Sequence, residues 1–286
     1  MIERLCIIGV GLIGGSLARA LRKAGYCREI VGAGRDPEHL QQAVDLGVID
    51  RFDTDLARAV DGADMVLVAV PLGAMEHVFG SIRGQLAAHA VLTDAGSAKG
   101  SVIEAAQRAF GTVPGFFVPG HPIAGTEQSG VAASFAELYQ QRRVILSPLP
   151  ATDRQATARV RAMWEAAGAE VLEMDPVHHD AVLAATSHLP HVLAYTLVDC
   201  LAKLDDRDEV FDYAAGGFRD FTRIASSDPV MWRDICLANG DAIVLLINHF
   251  IGDLQTVKEA VHAHNGVRLL EIFTAAKEAR DRFADK

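Results

Sequence analysis

The chain has 286 residues, which at about 150 residues per domain is enough for two domains. Its 27 Lys and Arg against 37 Asp and Glu give a net charge of −10, which argues against a surface that binds the phosphate backbone of a nucleic acid. Half of the residues are hydrophobic and 22% are charged, a composition typical of a folded globular protein.

Membrane insertion and secretion are not expected from the sequence. The longest uninterrupted apolar runs, such as residues 65–72 and 242–247, are far shorter than the roughly 20 residues of a membrane helix. The first residues lead directly into an apolar, strand-like run and leave no room for a signal peptide, so we expect a cytoplasmic protein. We expect neither a disulfide nor a metal site, because the four cysteines are scattered; they are Cys6, Cys27, Cys200 and Cys236.

The first 174 residues alternate short apolar runs with segments of helix length. Continuous apolar strands separated by helices are typical of a parallel sheet that is covered on both faces. The sequence therefore predicts an α/β domain with a doubly wound, mostly parallel sheet of the Rossmann type. The predicted strands are 5–8, 30–33, 65–70, 90–93, 116–118, 144–146 and 170–172.

The remaining residues have a helical pattern. Asp175 and Pro176 are typical of a helix N-cap followed by proline at the first helical position, and Asp228 and Pro229 repeat the arrangement. We therefore divide the chain into an α/β domain, 1–174, and an all-α domain, 175–286. The segment 241–262 carries more apolar surface than a small helical lobe would bury alone, so we expect it to form a homodimer interface.

The first predicted strand is followed by a GxGxxG motif. Gly9 would permit a tight turn, Gly11 would let the backbone approach a pyrophosphate, and Gly14 would let the following helix pack on the strand. This context predicts a dinucleotide site. Its expected residues are Gly9, Gly11, Leu12, Ile13 and Gly14 in the loop, Gly34, Arg35 and Asp36 after the second strand, and Val70 and Pro71 at the end of the strand 65–70.

The end of the second strand bears on the choice between NAD and NADP. An acidic residue about 20 positions after the last glycine normally binds the adenine ribose 2′-hydroxyl, and here Gly34 occupies that position. Gly34 leaves room for a 2′-phosphate and Arg35 can pair with it, which favours NADP. Asp36 keeps NAD possible, and the alternative is that Arg35 is a solvated loop charge and that the loop discriminates poorly between the two cofactors.

Further polar motifs follow other strands. His121 lies in GHPIAGTE, where proline and glycines favour a loop at the carboxyl end of a strand, and ligands bind at those ends in open α/β sheets. Ser97 lies in DAGSAKG and is either a catalytic residue or a helix cap. Pro190 interrupts the helical SHLPH motif and would kink it. The segment 216–229 carries Arg219 and Arg223 and predicts an anion site or a surface ion-pair loop.

Five motifs together, GVGLIGGS, DAGSAKG, GHPIAGTE, SHLPH and GFRDFTRIASSDPVMWRDI, resemble the prephenate and arogenate dehydrogenase family of tyrosine biosynthesis. The resemblance spans residues 9 to about 235. It implies an N-terminal nucleotide-binding domain and a C-terminal helical dimerisation domain. It also implies the NAD- or NADP-dependent oxidative decarboxylation of prephenate to 4-hydroxyphenylpyruvate, of arogenate to tyrosine, or of both. Because the chain ends about 50 residues after the last motif, we expect no fused chorismate mutase or regulatory domain.

The resemblance also implies roles for individual residues. His121 would bond the ring 4-hydroxyl of the substrate and assist its deprotonation, and Ser97 would bond the same hydroxyl or His121. Arg223 would hold a substrate carboxylate; alternatively, it only anchors its loop through Asp220. The other residues implied at the substrate pocket are His191, Glu127, Asp180, Asp220, Trp232 and Gly216.

Two other functions are compatible with parts of the pattern. An NADP-dependent dehydrogenase of β-hydroxyacids or imines also couples a nucleotide-binding domain to a helical domain, but it would typically carry a lysine where this chain has Ser187, His188 and His191. A non-catalytic NADP-binding sensor would have no need of both His121 and Arg223. The residues leave open whether prephenate or arogenate is accepted.

Overall fold

Six parallel strands form the central sheet of the structure, a computed structural model that describes residues 1–284. Their order, β3-β2-β1-β4-β5-β6, is that of a doubly wound fold, in which ligands bind at the carboxyl ends of the strands near the switch between β1 and β4. The predicted fold class is thus confirmed. The strands are β1 Ile2–Ile8, β2 Cys27–Ala33, β3 Arg51–Asp53, β4 Met65–Val68, β5 Val91–Asp94 and β6 Phe117–Val118.

Both faces of this sheet are buried, as the continuous apolar strands predicted. Because successive side chains of a strand point to opposite faces, Leu5 and Ile7 join one hydrophobic cluster with Trp164, whereas Cys6 and Ile8 join another. The helices along this part of the chain are α1 Leu12–Lys23, α2 Pro37–Asp45, α3 Leu56–Ala59, α4 Met75–Ile82, α5 Lys99–Phe110 and α6 Arg154–Ala166.

A second sheet of three strands differs from the sequence prediction. It consists of β7 Gly120–Pro122, β8 Arg143–Leu146 and β9 Glu170–Glu173, with β7 antiparallel to β8 and β8 parallel to β9. The strands predicted at 144–146 and 170–172 therefore exist but lie outside the main sheet. The strand β7 was missed because glycine and proline are depleted in strands; proline is tolerated here because β7 is an edge strand.

The remainder of the chain is helical, and both predicted Asp-Pro helix starts are present. Asp175 accepts hydrogen bonds from the amides of Val177 and His178 at 2.9 and 3.1 Å, and Asp228 caps the later helix in the same way. The helices are α7 Pro176–Leu183, α8 Leu189–Ala202, α9 Arg207–Asp212, α10 Gly216–Thr222, α11 Pro229–Ala238, α12 Gly240–His262 and α13 Gly266–Ala284.

The helices α7 and α8 are joined by a π-helical turn, Ala184–His188, just before Pro190. Proline has no amide hydrogen to donate to the preceding turn, and widened π turns of this kind occur frequently at functional sites. The irregularity that Pro190 predicted is therefore a π turn that contains Ser187 and His188.

The chain separates into two compact units, Met1–Gly240 and a second that begins at Asp241. Helices α7 to α11 thus belong to the same unit as the two sheets. The division of the chain at residue 174 stays a prediction. In the second unit, large apolar side chains of α12 and α13 remain exposed: Val244, Leu245, Ile251, Leu254, Val267, Leu270 and Phe273.

One helical stretch, Pro176–Ala202, is long and apolar enough to span a membrane by length and composition, and Pro229–Ala238 with Gly240–His262 meets the same criteria when taken as a pair. The sequence expectation counted uninterrupted apolar runs, a stricter criterion, and the absence of a membrane span stays a prediction. Histidines and Asp180 interrupt the apolar runs of the first stretch. Core helices of globular proteins share this length and composition.

Candidate active site

The glycine loop after β1 has the shape of a phosphate cradle. Gly9 has φ +95°, and a Cβ there would lie 2.3 Å from the Ala69 carbonyl oxygen. A Cβ on Gly14 would lie 2.4 Å from the Gly9 carbonyl oxygen, whereas one on Gly11 would meet no atom within 4 Å. Gly11 is the N-cap of α1 and leaves the first amides of the helix uncovered by any side chain. Open space beside free helix amides suits a dinucleotide pyrophosphate.

The other residues predicted for the dinucleotide site lie beside the glycine loop. Leu12 is buried in the first turn of α1, and the carbonyl of Ile13 accepts a hydrogen bond of 2.6 Å from the Tyr139 hydroxyl. Val70 and Pro71 follow β4, and Val70 Cγ1 would be 3.1 Å from a Cβ on Gly9. These residues therefore border the cradle.

After the end of β2, the Asp36 side chain has hydrogen-bond partners in the described protein, whereas that of Arg35 has none. The Asp36 carboxylate caps α2 by accepting from the amides of Glu38 and His39 at 2.9 and 3.2 Å. Arg35 is exposed, and within residues 1–284 its guanidinium has no hydrogen bond or ion pair. A Cβ at Gly34 would make ordinary contacts with Leu40, so packing does not require glycine there. A cation without a partner and an occupied carboxylate thus lie where the adenine ribose is expected.

A buried ion pair that sequence reasoning did not single out joins two strand ends. Lys99 Nζ lies 2.6 Å from Asp94 Oδ2 and donates to the Gly120 carbonyl at 2.5 Å, and both ionic side chains are fully buried. Asp94 also accepts from the amides of Gly96 and Gly120 at 2.7 and 3.0 Å. Burial lowers the pKa of Lys99, opposed by the charge of Asp94. The pair fixes the backbone directly before His121. The motif DAGSAKG was its sequence signal.

Ser97 lies half-buried between β5 and α5 but does not cap the helix. The N-cap of α5 is Ala98, and no side chain of the capping residue bonds the first turn. Instead, the carboxylate of Asp180, on α7, caps α5, because it accepts hydrogen bonds from the amides of Lys99 and Gly100 at 2.7 and 2.8 Å. Of the two roles considered for Ser97, the structure thus leaves the catalytic one, which stays a prediction.

His121 is buried on β7 and is connected to Asp180 through a residue that sequence reasoning missed. Its Nδ1 lies 2.9 Å from His179 Nε2, and His179 Nδ1 lies 2.8 Å from Asp180 Oδ1. Burial holds the pKa of His121 well below 6.5, with the neighbouring His179 and Lys99 acting in the same direction. His121 is therefore a neutral imidazole near pH 7. The adjacent histidines of the DPVHHD segment were the only signal for His179.

A stacked histidine–tryptophan pair lies on α8 and α11. The rings of His191 and Trp232 stack with centroids 3.6 Å apart and planes 18° from parallel. His191 Nδ1 donates to the Ser187 carbonyl at 2.8 Å, which leaves its Nε2 as an acceptor. Burial lowers the pKa of His191, opposed by that hydrogen bond. The predicted pocket residues His191 and Trp232 are thus brought together.

Asn239 connects this pair to the His121 network. Its side-chain amide donates to the Asp180 carbonyl at 2.8 Å and to His188 Nδ1 at 3.1 Å. Because burial lowers the pKa of His188 to about 4, its ring is neutral and Nε2 carries the proton. In the described part of the chain, His188 Nε2 and Trp232 Nε1 are buried without hydrogen-bond partners.

The predicted carboxylate-binding residue is at the surface. Arg223 begins a short 3₁₀ turn after α10, and its guanidinium pairs with Glu127, on the loop that follows β7. The partner considered from the sequence, Asp220, is exposed on α10 together with Gly216. The structure thus joins Arg223 to Glu127 and shows no ion pair to Asp220 within residues 1–284.

Comparison with known proteins identifies two family matches along the chain. Residues 17–173 match the description "Prephenate dehydrogenase, nucleotide-binding domain", and residues 175–275 match "Prephenate dehydrogenase, dimerization domain". A cyclohexadienyl dehydrogenase of Zymomonas mobilis is 40% identical over 285 residues, which cover 97% of this chain and 95% of that protein. A prephenate dehydrogenase of Bacillus subtilis is 35% identical, over 98% of this chain and 76% of the relative.

A solved structure has the same fold over the whole length. The crystal structure of prephenate dehydrogenase from Aquifex aeolicus, in complex with hydroxyphenyl propionate and NAD+, superposes with a TM-score of 0.91 at 37% identity. The alignment covers 99% of this chain and 98% of that chain.

Proposed function

The chain belongs to the prephenate dehydrogenase family, and we propose that it oxidatively decarboxylates prephenate, arogenate or both with a nicotinamide dinucleotide. The observation that carries this proposal is His121, a buried neutral imidazole whose Nδ1 is bound to His179. Such a group accepts a proton at neutral pH, which the oxidation of a ring hydroxyl requires.

The glycine loop and the free amides of α1 fit a dinucleotide and would hold its pyrophosphate. The bound nicotinamide would supply the hydride acceptor for ring C4 of the substrate. Gly11 would lie against the phosphates, while Gly9 and Gly14 keep β1 and α1 close enough to form the cradle.

His121 would act as the base for the ring 4-hydroxyl. As the hydride leaves C4, the hydroxyl proton moves to His121 and C4 becomes a carbonyl. When carbon dioxide leaves C1, the electron pair of the broken carbon–carbon bond restores the aromatic ring, and the ring oxygen takes the proton back. The base is regenerated in each turnover, so the protein mainly positions C4 and excludes water.

Arg223 would bind a carboxylate of the substrate, because a guanidinium offers two parallel N–H donors and cannot accept a proton in a protein. Glu127 holds that guanidinium in the free protein, so an entering carboxylate would compete with Glu127. The stacked rings of His191 and Trp232 would form an aromatic wall of the pocket. Ser97 stays a prediction as a catalytic residue, and Asp220 and Gly216 stay predictions as substrate-binding residues.

NADP is the cofactor that the end of β2 favours. Arg35 is available to pair with a 2′-phosphate, and Asp36 is engaged as the cap of α2 rather than free to bind a ribose hydroxyl. The relative from Aquifex aeolicus was crystallised with NAD+, so NAD is the alternative that the test below must distinguish.

A homodimer is the assembly that the helical half favours. The matched region includes a domain described as a dimerization domain, and α12 and α13 each expose large apolar side chains, among them Leu254 and Phe273. We infer that a second copy of this chain covers them, and that the enzyme acts in the cytoplasm.

The test of the proposed function is a steady-state assay of cofactor reduction with the purified protein. kcat/KM is measured for prephenate and for arogenate, each with NAD+ and with NADP+. We expect reduction with at least one substrate and a preference for NADP+. The absence of reduction in all four combinations would contradict the proposal.

A further inference from the structure

We propose that His179 and Asp180 are positioning residues that fix the tautomer of His121, so that Nε2 of His121 is the atom that receives the substrate proton. The inference deepens the proposed function, because it rests on His121 being the base. The geometry is a continuous chain of two hydrogen bonds, His121 Nδ1 to His179 Nε2 at 2.9 Å and His179 Nδ1 to Asp180 Oδ1 at 2.8 Å.

The Asp180 carboxylate determines which atom donates and which accepts in each of these hydrogen bonds. It accepts from the amides of Lys99 and Gly100 and from His179. Although burial opposes it, these hydrogen bonds lower the pKa of Asp180. An ionised carboxylate accepts hydrogen bonds only, so Nδ1 of His179 must carry a proton.

The proton positions in the hydrogen bond between His179 and His121 follow from the charge of His179. Burial lowers the pKa of His179, against the opposing attraction of Asp180, so the ring is neutral near pH 7 and its Nε2 has a lone pair. That lone pair can only accept, so Nδ1 of His121 is the donor and Nε2 of His121 is unprotonated. Within residues 1–284, Nε2 of His121 has no hydrogen-bond partner and is free to meet a ligand.

The hydrogen-bond chain also places the negative charge of Asp180 near the protonated base. Lys99 and His179 both disfavour a positive charge on His121, and no carboxylate of the described residues pairs with His121 directly. When His121 takes the substrate proton, its Nδ1–H still donates to His179, and the negative charge of Asp180 lies one hydrogen bond further on. A carboxylate that orients an imidazole and stabilises its cation is the arrangement of hydrolase triads. Here a second imidazole stands between the two.

The spectroscopic test measures the tautomers of the free protein and does not depend on activity. In protein labelled with ¹⁵N-histidine, we expect the His121 and His179 signals near pH 7 to show a proton on Nδ1 and none on Nε2. Signals are assigned by comparison with His121→Asn and His179→Gln. A proton on Nε2 of His121 in the wild-type protein would overturn the proposal.

The kinetic test uses two variants and a neighbouring control. Asp180→Asn puts an amide opposite His179 Nδ1, and we expect kcat to fall about 10²-fold or more while KM changes little. His179→Phe removes the link and should lower kcat similarly, whereas His179→Gln keeps an acceptor oxygen and should recover part of it. His178→Gln alters an exposed histidine of the same helix and should have no effect.

Two outcomes separate this inference from the proposed function. Unchanged kcat in both Asp180→Asn and His179→Phe, with folding verified by circular dichroism, would overturn the positioning role while leaving His121 as the base. Full turnover in His121→Asn would instead overturn the assignment of the base, whatever the tautomers in the free protein.

Discussion

The histidines of the site differ in their chemistry because different partners hold their rings. His121 and His191 each donate through Nδ1, to an imidazole and to a backbone carbonyl, and are left with a free acceptor. His188 accepts through Nδ1 from an amide and is left with a donor. The three imidazoles thus carry two acceptors without protein partners among the described residues and one buried donor.

Substitution of His121 tests its role as the base. His121→Asn should lower kcat by about 10² to 10⁴, the usual contribution of a positioned base, with a smaller change in KM. Because burial lowers the pKa of His121, the wild-type base stays unprotonated below pH 6.5. In a pH profile, kcat/KM should therefore stay constant as the pH is lowered through 6.5 and begin to fall only well below it. Near-normal turnover in the variant would contradict the role.

Arg223 is predicted to act in binding rather than in proton transfer. Arg223→Ala should raise the substrate KM by roughly 10- to 100-fold while kcat falls less, because a charge-assisted contact is lost from both ground and transition states. Arg223→Lys should rescue only partly, since lysine lacks the planar fork. Arg219→Ala, at an exposed arginine of the preceding helix, is the matched control. An unchanged KM with a lowered melting temperature would show that Arg223 only anchors its loop.

Arg35 should determine cofactor preference. Arg35→Ala removes the cation expected to pair with a 2′-phosphate, so the KM for NADP+ should rise about tenfold or more while that for NAD+ changes little. Arg22→Ala is a control, because this arginine of α1 is paired with Asp50. A wild-type preference for NAD+ of tenfold or more would contradict the prediction.

Among the elements, the join between β1 and α1 separates structural glycines from a binding glycine. Gly14→Ala forces a Cβ to within 2.4 Å of the Gly9 carbonyl oxygen, so it should destabilise the fold by about 1 to 3 kcal/mol. Gly11→Ala meets no atom within 4 Å, so it should cost less stability than Gly14→Ala, at most about 1 kcal/mol for the poorer N-cap, and should weaken cofactor binding. Denaturant unfolding and a cofactor titration of both variants test this. Equal stability of the two variants would be inconsistent with it.

Helix α7 carries out several tasks at once through two adjacent residues. His179 reaches the His121 side chain, and Asp180 caps α5 with its carboxylate while its carbonyl accepts from Asn239. A helix that the sequence assigned to the all-α domain therefore holds His121 of the α/β part in place. The sequence placed Asp180 in the substrate pocket. In the structure, its carboxylate already accepts hydrogen bonds from Lys99, Gly100 and His179.

At the scale of the whole molecule, the exposed apolar face of α12 predicts a dimer. Val244 and Ile251 are seven residues apart and so lie on one side of the helix, 56% and 46% exposed. The double variant Val244→Glu with Ile251→Glu should weaken self-association at least about tenfold, because each charge would be desolvated at the interface. Sedimentation equilibrium measures the change, with Gln85→Glu, at an exposed position of the α/β part, as a control. A monomeric wild-type protein would refute the assignment.

The sequence alone was sufficient for features that depend on neighbours along the chain. The glycine loop, the Asp-Pro helix starts and the apolar strands are governed by local sterics, capping and side-chain alternation, and their motifs also placed the chain in its family. Short strands such as Gly120–Pro122 were lost because their residues favour loops.

Only the tertiary structure decided which side chains meet. The His121–His179 contact joins residues 58 positions apart, the bonds from Asp180 to α5 span 80 and 81 positions, and the Asn239–His188 bond spans 51. No local preference encodes such pairs, because they arise when β7, α5, α7 and α11 pack together. Asp36 is a further example. Its carboxylate and its position after β2 allowed a ribose contact, but in the structure it is the N-cap of α2. The sequence determined which chemical groups are available, and long-range packing determined which atoms of those groups remain free to react.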